Sequence, residues 1–149
     1  MGQTRQPIPV LLIAAISSND EAAIQWGAEQ IEAKWGPIWL KTPVFDFDHT
    51  SFYNATMGDG IKKQLIAFES PIDPDRLAGI KNDSNEIERQ YQELRQYEVQ
   101  RPINIDPGYV TEAKLVLATV KDRDHRVYLS DGIYAEVTLS YYGKQWNPS

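Results

Sequence analysis

The sequence predicts an α+β fold with a ferredoxin-like β-α-β-β-α-β core, extended at its C-terminus by a short helix and a β-hairpin. Two patterns predict it. A continuous apolar run from Val10 to Ile16 is followed at once by a helix start, which is typical of a buried strand that leads into an amphipathic helix. The patterns that come next are strand, strand, helix and strand, which completes the split β-α-β arrangement.

The first helix has well-marked ends in the sequence. Ser18-Asn19-Asp20-Glu21 is typical of a capping box, in which the serine hydroxyl and the glutamate carboxylate satisfy amides that the helix leaves unpaired. An apolar stripe runs from Ile24 to Trp35, and Gly36-Pro37 then ends the helix.

The middle of the chain carries two strands and a second helix. One strand is predicted from Ile38 to Asp46, bent near Pro43, and another from Ile61 to Glu69. Asp73-Pro74 supplies an N-cap and a first-turn proline to a helix whose apolar stripe extends to Leu94.

The following segment is predicted as a strand, a turn and a short helix. Ile103 to Asp106 alternates as a fourth strand, and Asp106-Pro107-Gly108 is typical of a turn. Residues 110–120 favour a short helix because three of their apolar side chains share a helical face.

The last two strands are predicted to form a hairpin, whose register follows from the face that each side chain takes. A three-residue loop, Ser130-Asp131-Gly132, separates apolar from polar residues on the two faces, whereas a two-residue turn mixes them. The predicted pairs are Leu129 with Ile133, Tyr128 with Tyr134, Val127 with Ala135, and Arg126 with Glu136.

Length and composition restrict the class of protein. The 149 residues are predicted to form a single domain, residues 1–149. The net charge of −6 argues against a nucleic-acid binder, and no apolar stretch approaches the roughly 18 residues of a membrane span. The absence of cysteine excludes disulfides and fits a reducing compartment. We therefore expect a cytoplasmic protein that binds neither nucleic acid nor membrane.

Three stretches resemble a known family: Asn104 to Tyr109 (NIDPGY), Ala113 to Thr119 (AKLVLAT) and Asp131 to Leu139 (DGIYAEVTL). With Trp35 to Ile38 and Met57 to Gly60 in the same order, the chain resembles the uncharacterised bacterial family catalogued as domain of unknown function 4416. The resemblance covers nearly the whole chain and implies a bacterial protein. It implies no reaction, because the family has no established one.

Two segments of the same pattern suggest a metal site. Asp46-Phe47-Asp48-His49 and Asp122-Arg123-Asp124-His125 both follow the pattern D-x-D-H, and they hold the two histidines of the chain. Carboxylates with imidazole suit Mn²⁺, Fe²⁺ or Zn²⁺, and the predicted topology lets the two segments meet at one sheet edge. The alternative is that these are ordinary strand-end and turn residues. The hypothetical divalent-metal ligands are Asp46, Asp48, His49, Asp124 and His125.

Two further carboxylates could act as acid or base groups, but each has a simpler structural role. Asp106 is either a general base or a residue that shapes the turn before Gly108, and the turn role is favoured. Glu136 is explained more simply as the cross-strand partner of Arg126.

Two functional hypotheses from different classes follow. The first is a binding or assembly module whose sheet edges and surface aromatics, Trp26 and Trp39, meet a protein partner or a second copy. The second is a metal-dependent enzyme, or a domain that binds a nucleotide or phosphate ligand, through the D-x-D-H segments. Neither a G-x-x-x-x-G-K-[ST] phosphate loop nor a G-x-S-x-G elbow is present. The first hypothesis is favoured, since fold alone carries no function.

Overall fold

The computed structural model describes residues 1–47, 54–94 and 100–149. Within them, nine strands and three α-helices follow in chain order: β1 (Leu11–Ser18), α1 (Glu21–Trp35), β2 (Ile38–Lys41), β3 (Phe45–Asp46), α2 (Asn54–Met57), β4 (Lys62–Phe68), α3 (Leu77–Leu94), β5 (Asn104–Val110), β6 (Lys114–Thr119), β7 (Arg126–Ser130), β8 (Ile133–Tyr142) and β9 (Gln145–Pro148). A 3-10 turn, Pro74–Arg76, leads into α3, and Asp73 caps this turn as predicted.

All of these strands belong to one antiparallel sheet. The strand order is β2-β4-β1-β5-β6-β8-β7, while β3 also pairs with β4, and β9 with β8. The predicted ferredoxin-like core with a C-terminal helix is therefore wrong. The sheet does not end at β5 but continues through β6, β8 and β7, and two long helices accompany it.

The short helix predicted over residues 110–120 is a strand, β6. Val116 and Ala118 are buried beneath the start of α3, whereas Leu115 and Leu117 point to the other side of the sheet. Because both faces of this strand are apolar, the sequence lacks the alternation that marks a strand covered on one side only.

The predicted turn at Asp106-Pro107-Gly108 is also wrong, because these residues lie inside β5. They pair with Ala15, Ala14 and Ile13 of β1 in an unbroken antiparallel register. Pro and Gly are turn residues by local preference, and here tertiary pairing overrides that preference.

Both long helices pack on the same face of the sheet. The larger core cluster joins that face to α1 and α3 through large aliphatic and aromatic side chains, among them Leu12, Ile16, Ile24, Ile31, Phe68, Ile80, Ile87 and Ile105. A smaller cluster lies under the first turn of α3 and includes Leu77, Val116 and Ile133. Neither α1 nor α3 packs on the opposite face of the sheet. No helix in that part is long and apolar enough to cross a membrane.

The start of α1 differs in detail from the predicted capping box. Asp20 is the N-cap, and its side chain accepts a hydrogen bond from the Ala22 amide at 2.9 Å. Ser18 is buried instead, where its hydroxyl donates to the Pro102 carbonyl at 2.7 Å. The serine thus connects β1 to the segment before β5 instead of capping the helix.

The predicted hairpin is largely confirmed. Arg126 lies opposite Glu136, Val127 opposite Ala135 and Tyr128 opposite Tyr134, as the face argument requires. The Tyr128 and Tyr134 rings meet edge to face, with centroids 5.2 Å apart. The predicted three-residue loop is wrong: Ser130 belongs to β7 and lies opposite Ile133, so the loop is Asp131-Gly132, and both of these residues have positive φ. A register shift between Tyr128 and Ser130 restores the predicted pairs further along the hairpin.

Candidate functional site: a charged cleft where the sheet divides

The candidate site begins at Gly108, where β5 and β6 come into very close contact. A Cβ added to Gly108 would lie only 2.3 Å from the carbonyl oxygen of Val116, so only glycine fits. The two strands pair only from Gly108–Val110 to Leu115–Leu117. Before Gly108, no strand of the described residues pairs with that edge of β5, and a cleft opens between β5 and the end of β6.

Side chains of α3 bind the free edge of β5 in place of a strand. Lys81 Nζ donates to the Ile105 carbonyl at 3.2 Å, and the Ile105 amide donates to Glu88 Oε2 at 2.9 Å. Pro107 lies two residues further on and faces the same edge. Proline has no amide hydrogen to donate, but no hydrogen bond of a ladder is lost because β6 does not pair with β5 there. The helix thus satisfies the backbone that β6 leaves unpaired, as buried polar groups require.

Lys81 belongs to a buried polar network on the floor of the cleft. Its Nζ lies 3.5 Å from Asp106 Oδ1, and Asn104 Nδ2 donates to the other Asp106 oxygen at 2.7 Å. The Arg101 guanidinium donates to Asn104 Oδ1. Lys81 and Asn104 are each only 6% exposed, and burying an ammonium group needs such a carboxylate partner.

The opposite wall is built around Glu136. Arg126 Nε donates to Glu136 Oε1 at 2.9 Å, and His125 Nε2 lies 2.7 Å from the same oxygen. Burial acts to raise the pKa of Glu136, but hydrogen bonds from Arg126, His125 and Thr138 outweigh it and lower the pKa. Asp124, whose Oδ1 lies 3.0 Å from His125 Nδ1, and Glu136 together raise the pKa of His125.

The cleft has a surplus of positive charge. Its cavity of about 640 Å³ is lined by five basic side chains and three acidic ones: Lys81, Arg101, Lys121, Arg123 and Arg126, with Glu88, Asp106 and Glu136. Five positive charges less three negative ones leave two positive charges, in a chain whose formal net charge is −6. Burial raises the pKa of Glu88, against the opposing effects of the Ile105 amide, Lys81 and Arg101. We call this site the charged cleft.

An apolar groove continues from the charged cleft along the uncovered face of the sheet. Its volume is about 670 Å³, and its lining includes Ile13, Ala15, Leu65, Ala67, Leu115, Leu117 and Leu139. Asp106 and Leu117 line both cavities, so the two are adjoining. Leu65 is 45% exposed and Leu40, at the far side of the groove, is 56% exposed. We call this surface the open face.

The structure separates the parts of the hypothetical metal site that it describes. Asp46, on β3, bonds Lys62 at 3.0 Å, while Asp124 and His125 precede β7 at the other end of the strand order. Asp48 and His49 lie outside the described residues. Across residues 1–47, 54–94 and 100–149, no group of three or more His, Asp or Glu side chains is arranged to hold a metal ion. Because two of the five hypothetical ligands are not described, the metal site stays a prediction. His125 contributes to the wall of the charged cleft through its contact with Glu136.

Sequence reasoning missed Lys81, Glu88 and Arg101. A signal for the first two exists. Lys81 lies on the buried stripe of α3 with Ser84 and Tyr91, and Glu88, which is half-buried, follows seven residues later on the same side of the helix. Charged residues at core positions of an amphipathic helix indicate a polar site beneath it.

The two tryptophans expected at the surface, Trp26 and Trp39, differ in their exposure to solvent. Trp26 packs against Tyr91 with ring centroids 4.7 Å apart and is half-buried, whereas Trp39 is 59% exposed on β2. Trp39 is therefore the surface aromatic of the pair.

Fold and site together define a mixed α and β protein with a large antiparallel sheet and a positively charged cleft where β5 and β6 separate. The chain belongs to the family described as domain of unknown function 4416, whose sequence profile matches residues 8–149, and the resemblance found in the sequence is confirmed. A search of curated proteins finds no match, and neither does a search of solved structures. The family description names no reaction.

Proposed function

We propose that this protein is a cytoplasmic binding module that holds a small anionic ligand in the charged cleft. One observation carries the proposal: five basic side chains from three separate parts of an acidic chain line a single cavity. Low-dielectric walls strengthen the attraction between such groups and an anion that enters the cavity.

Two of the basic groups are held in place before any ligand binds. Lys81 is fixed by the Ile105 carbonyl and Asp106, and Arg126 by Glu136 and the Lys121 carbonyl. Groups already ordered lose little conformational entropy on binding, so more of their attraction contributes to affinity.

Arg123 has hydrogen-bond donors that remain available to a ligand. Its Nη1 donates to the Asp122 carbonyl at 2.8 Å, and no carboxylate of the described residues lies within ion-pair distance of it. A guanidinium group carries five donors in a planar fork that matches phosphate and carboxylate oxygens. Arg123 is therefore the residue that we expect to contribute most to binding without contributing to the fold.

The proposal is tested by calorimetric titration with inorganic phosphate, pyrophosphate, sulfate and citrate at low ionic strength. We expect at least one of these anions to bind, and Arg123→Gln to weaken it about 10–100-fold, the loss expected for a charge-assisted hydrogen bond. Arg76→Gln is the matched control, because Arg76 is exposed on the turn before α3 and does not line the cleft. Absence of binding by every anion, or equal losses in the two variants, would contradict the proposal.

The cytoplasmic location and the exclusion of nucleic acid are parts of this proposal. The cysteine-free composition supports the first, and the net charge of −6 supports the second. A protein partner or a second copy stays a prediction based on exposed side chains such as Trp39.

A further inference from the structure

We propose that the ligand is an amphiphile, with a phosphate head in the charged cleft and a hydrocarbon chain along the open face. This inference rests on the proposed anion site and names the class of its ligand. It accounts for two features at once: the positive cleft and the uncovered apolar surface beside it.

The two cavities are placed to bind the two ends of one molecule. Asp106 lies at their junction and contacts Lys81 and Asn104 on the side of the charged cleft. Leu117 lines both cavities as well, so the apolar lining begins where the basic groups end. A head group among the basic side chains would leave a covalently attached chain at the entrance of the groove.

The open face has the side chains of a hydrocarbon site. Its floor is formed by small or aliphatic residues of neighbouring strands, Ile13 and Ala15 of β1 with Leu65 and Ala67 of β4. The alanines are too small to fill the space between their larger neighbours, so they leave a depression in the sheet surface. A contiguous apolar surface of this kind, bordered by polar groups, marks a ligand or interaction site in a water-soluble fold.

The charge of the cleft fits a phosphate monoester better than a single carboxylate. The lining carries a surplus of two positive charges, and a phosphate monoester carries roughly 1.5–2 negative charges at neutral pH. Its three terminal oxygens can accept from several donors together, and the cleft offers the guanidinium groups of Arg101, Arg123 and Arg126. One carboxylate would leave about half of the surplus charge unmatched.

The test is a titration series of butyl, hexyl and octyl phosphate below their micelle concentrations, with inorganic phosphate, octanoate and octanol for comparison. Burial of each methylene should tighten binding about fourfold, which corresponds to about 0.8 kcal/mol per buried CH₂. Octyl phosphate should therefore bind more tightly than butyl phosphate by about two orders of magnitude. Inorganic phosphate should bind at the head-group site alone.

Two variants test whether the hydrocarbon chain lies on the open face. Leu65→Asp should remove most of the increase with chain length but leave the affinity for inorganic phosphate unchanged. Val127→Asp is the matched control, since Val127 is 69% exposed on β7 and does not line the groove. It should bind the whole series as the natural sequence does.

The outcomes distinguish failure of this inference from failure of the anion site. This inference is overturned if phosphate binds but the length of the hydrocarbon chain has no effect on affinity. It is also overturned if the increase in affinity with length persists in Leu65→Asp. In both cases the hydrocarbon chain does not lie on the open face, and the anion site stands. If octanoate binds more tightly than octyl phosphate, the phosphate assignment is overturned. If Leu65→Asp changes the sedimentation coefficient but not octyl phosphate affinity, a second copy covers the face instead. If no anion binds, both proposals are overturned.

Discussion

Replacing Gly108 by alanine tests the close contact that divides the sheet. The new Cβ would lie 2.3 Å from the Val116 carbonyl oxygen and 2.8 Å from Leu117 Cδ2. The first distance is roughly 1 Å shorter than van der Waals contact, and its partner is a backbone atom that cannot rotate away. The two strands must therefore move apart where the few bonds between β5 and β6 are made.

Overpacking of this kind costs about 1–3 kcal/mol, and loss of a ladder hydrogen bond adds about 1 kcal/mol. Against this, alanine gains about 0.4–1 kcal/mol by reducing the entropy of the unfolded chain. We expect Gly108→Ala to lower the free energy of unfolding by about 2 kcal/mol. For a chain of this length, that loss lowers Tm by about 4–8 °C.

The assay is urea unfolding with Gly79→Ala as the matched control. Gly79 is exposed on α3, and a Cβ there meets nothing within 4 Å. Alanine should stabilise that helix position by up to about 1 kcal/mol, so the two glycine variants should change stability in opposite directions. A Gly108→Ala protein as stable as the natural one would refute the close approach of β5 and β6.

Two further predictions concern the histidines. Asp124 and Glu136 raise the pKa of His125 above its usual value of about 6.5, so the stability that its protonation contributes is fully present below about pH 6.5 and is lost as the pH rises through the raised pKa. The difference in unfolding free energy between the natural protein and His125→Asn should therefore shrink as the pH rises above about 6.5, and a constant difference would contradict the contact. The metal hypothesis predicts that Mn²⁺ or Zn²⁺ at about a hundred times its Kd adds about 2.7 kcal/mol, removed by EDTA and by either His49→Ala or His125→Ala. An unchanged Tm over the metal series would refute a tight site.

The sequence alone determined those features that neighbouring residues decide. The apolar run of β1, the proline and glycine that end α1, and the Asp73 cap all act within a few residues of chain. The pairing of Arg126 with Glu136 was predicted because the unshifted register of a two-residue turn mixes apolar and polar side chains on both faces. This pairing correctly predicted that Glu136 lies opposite Arg126, but it did not predict the cleft that Glu136 lines.

Only the tertiary structure decided where the sheet ends and where the candidate site lies. β6 is apolar on both faces, so its sequence has no strand period, and its identity follows from burial between α3 and the open face. Asp106 is part of a strand and not of a turn because β1 pairs with it, and β1 lies about ninety residues earlier in the chain. Lys81, Arg101 and Arg123 converge because β6 leaves β5 at Gly108, a separation that arises from packing and leaves no pattern in the local sequence.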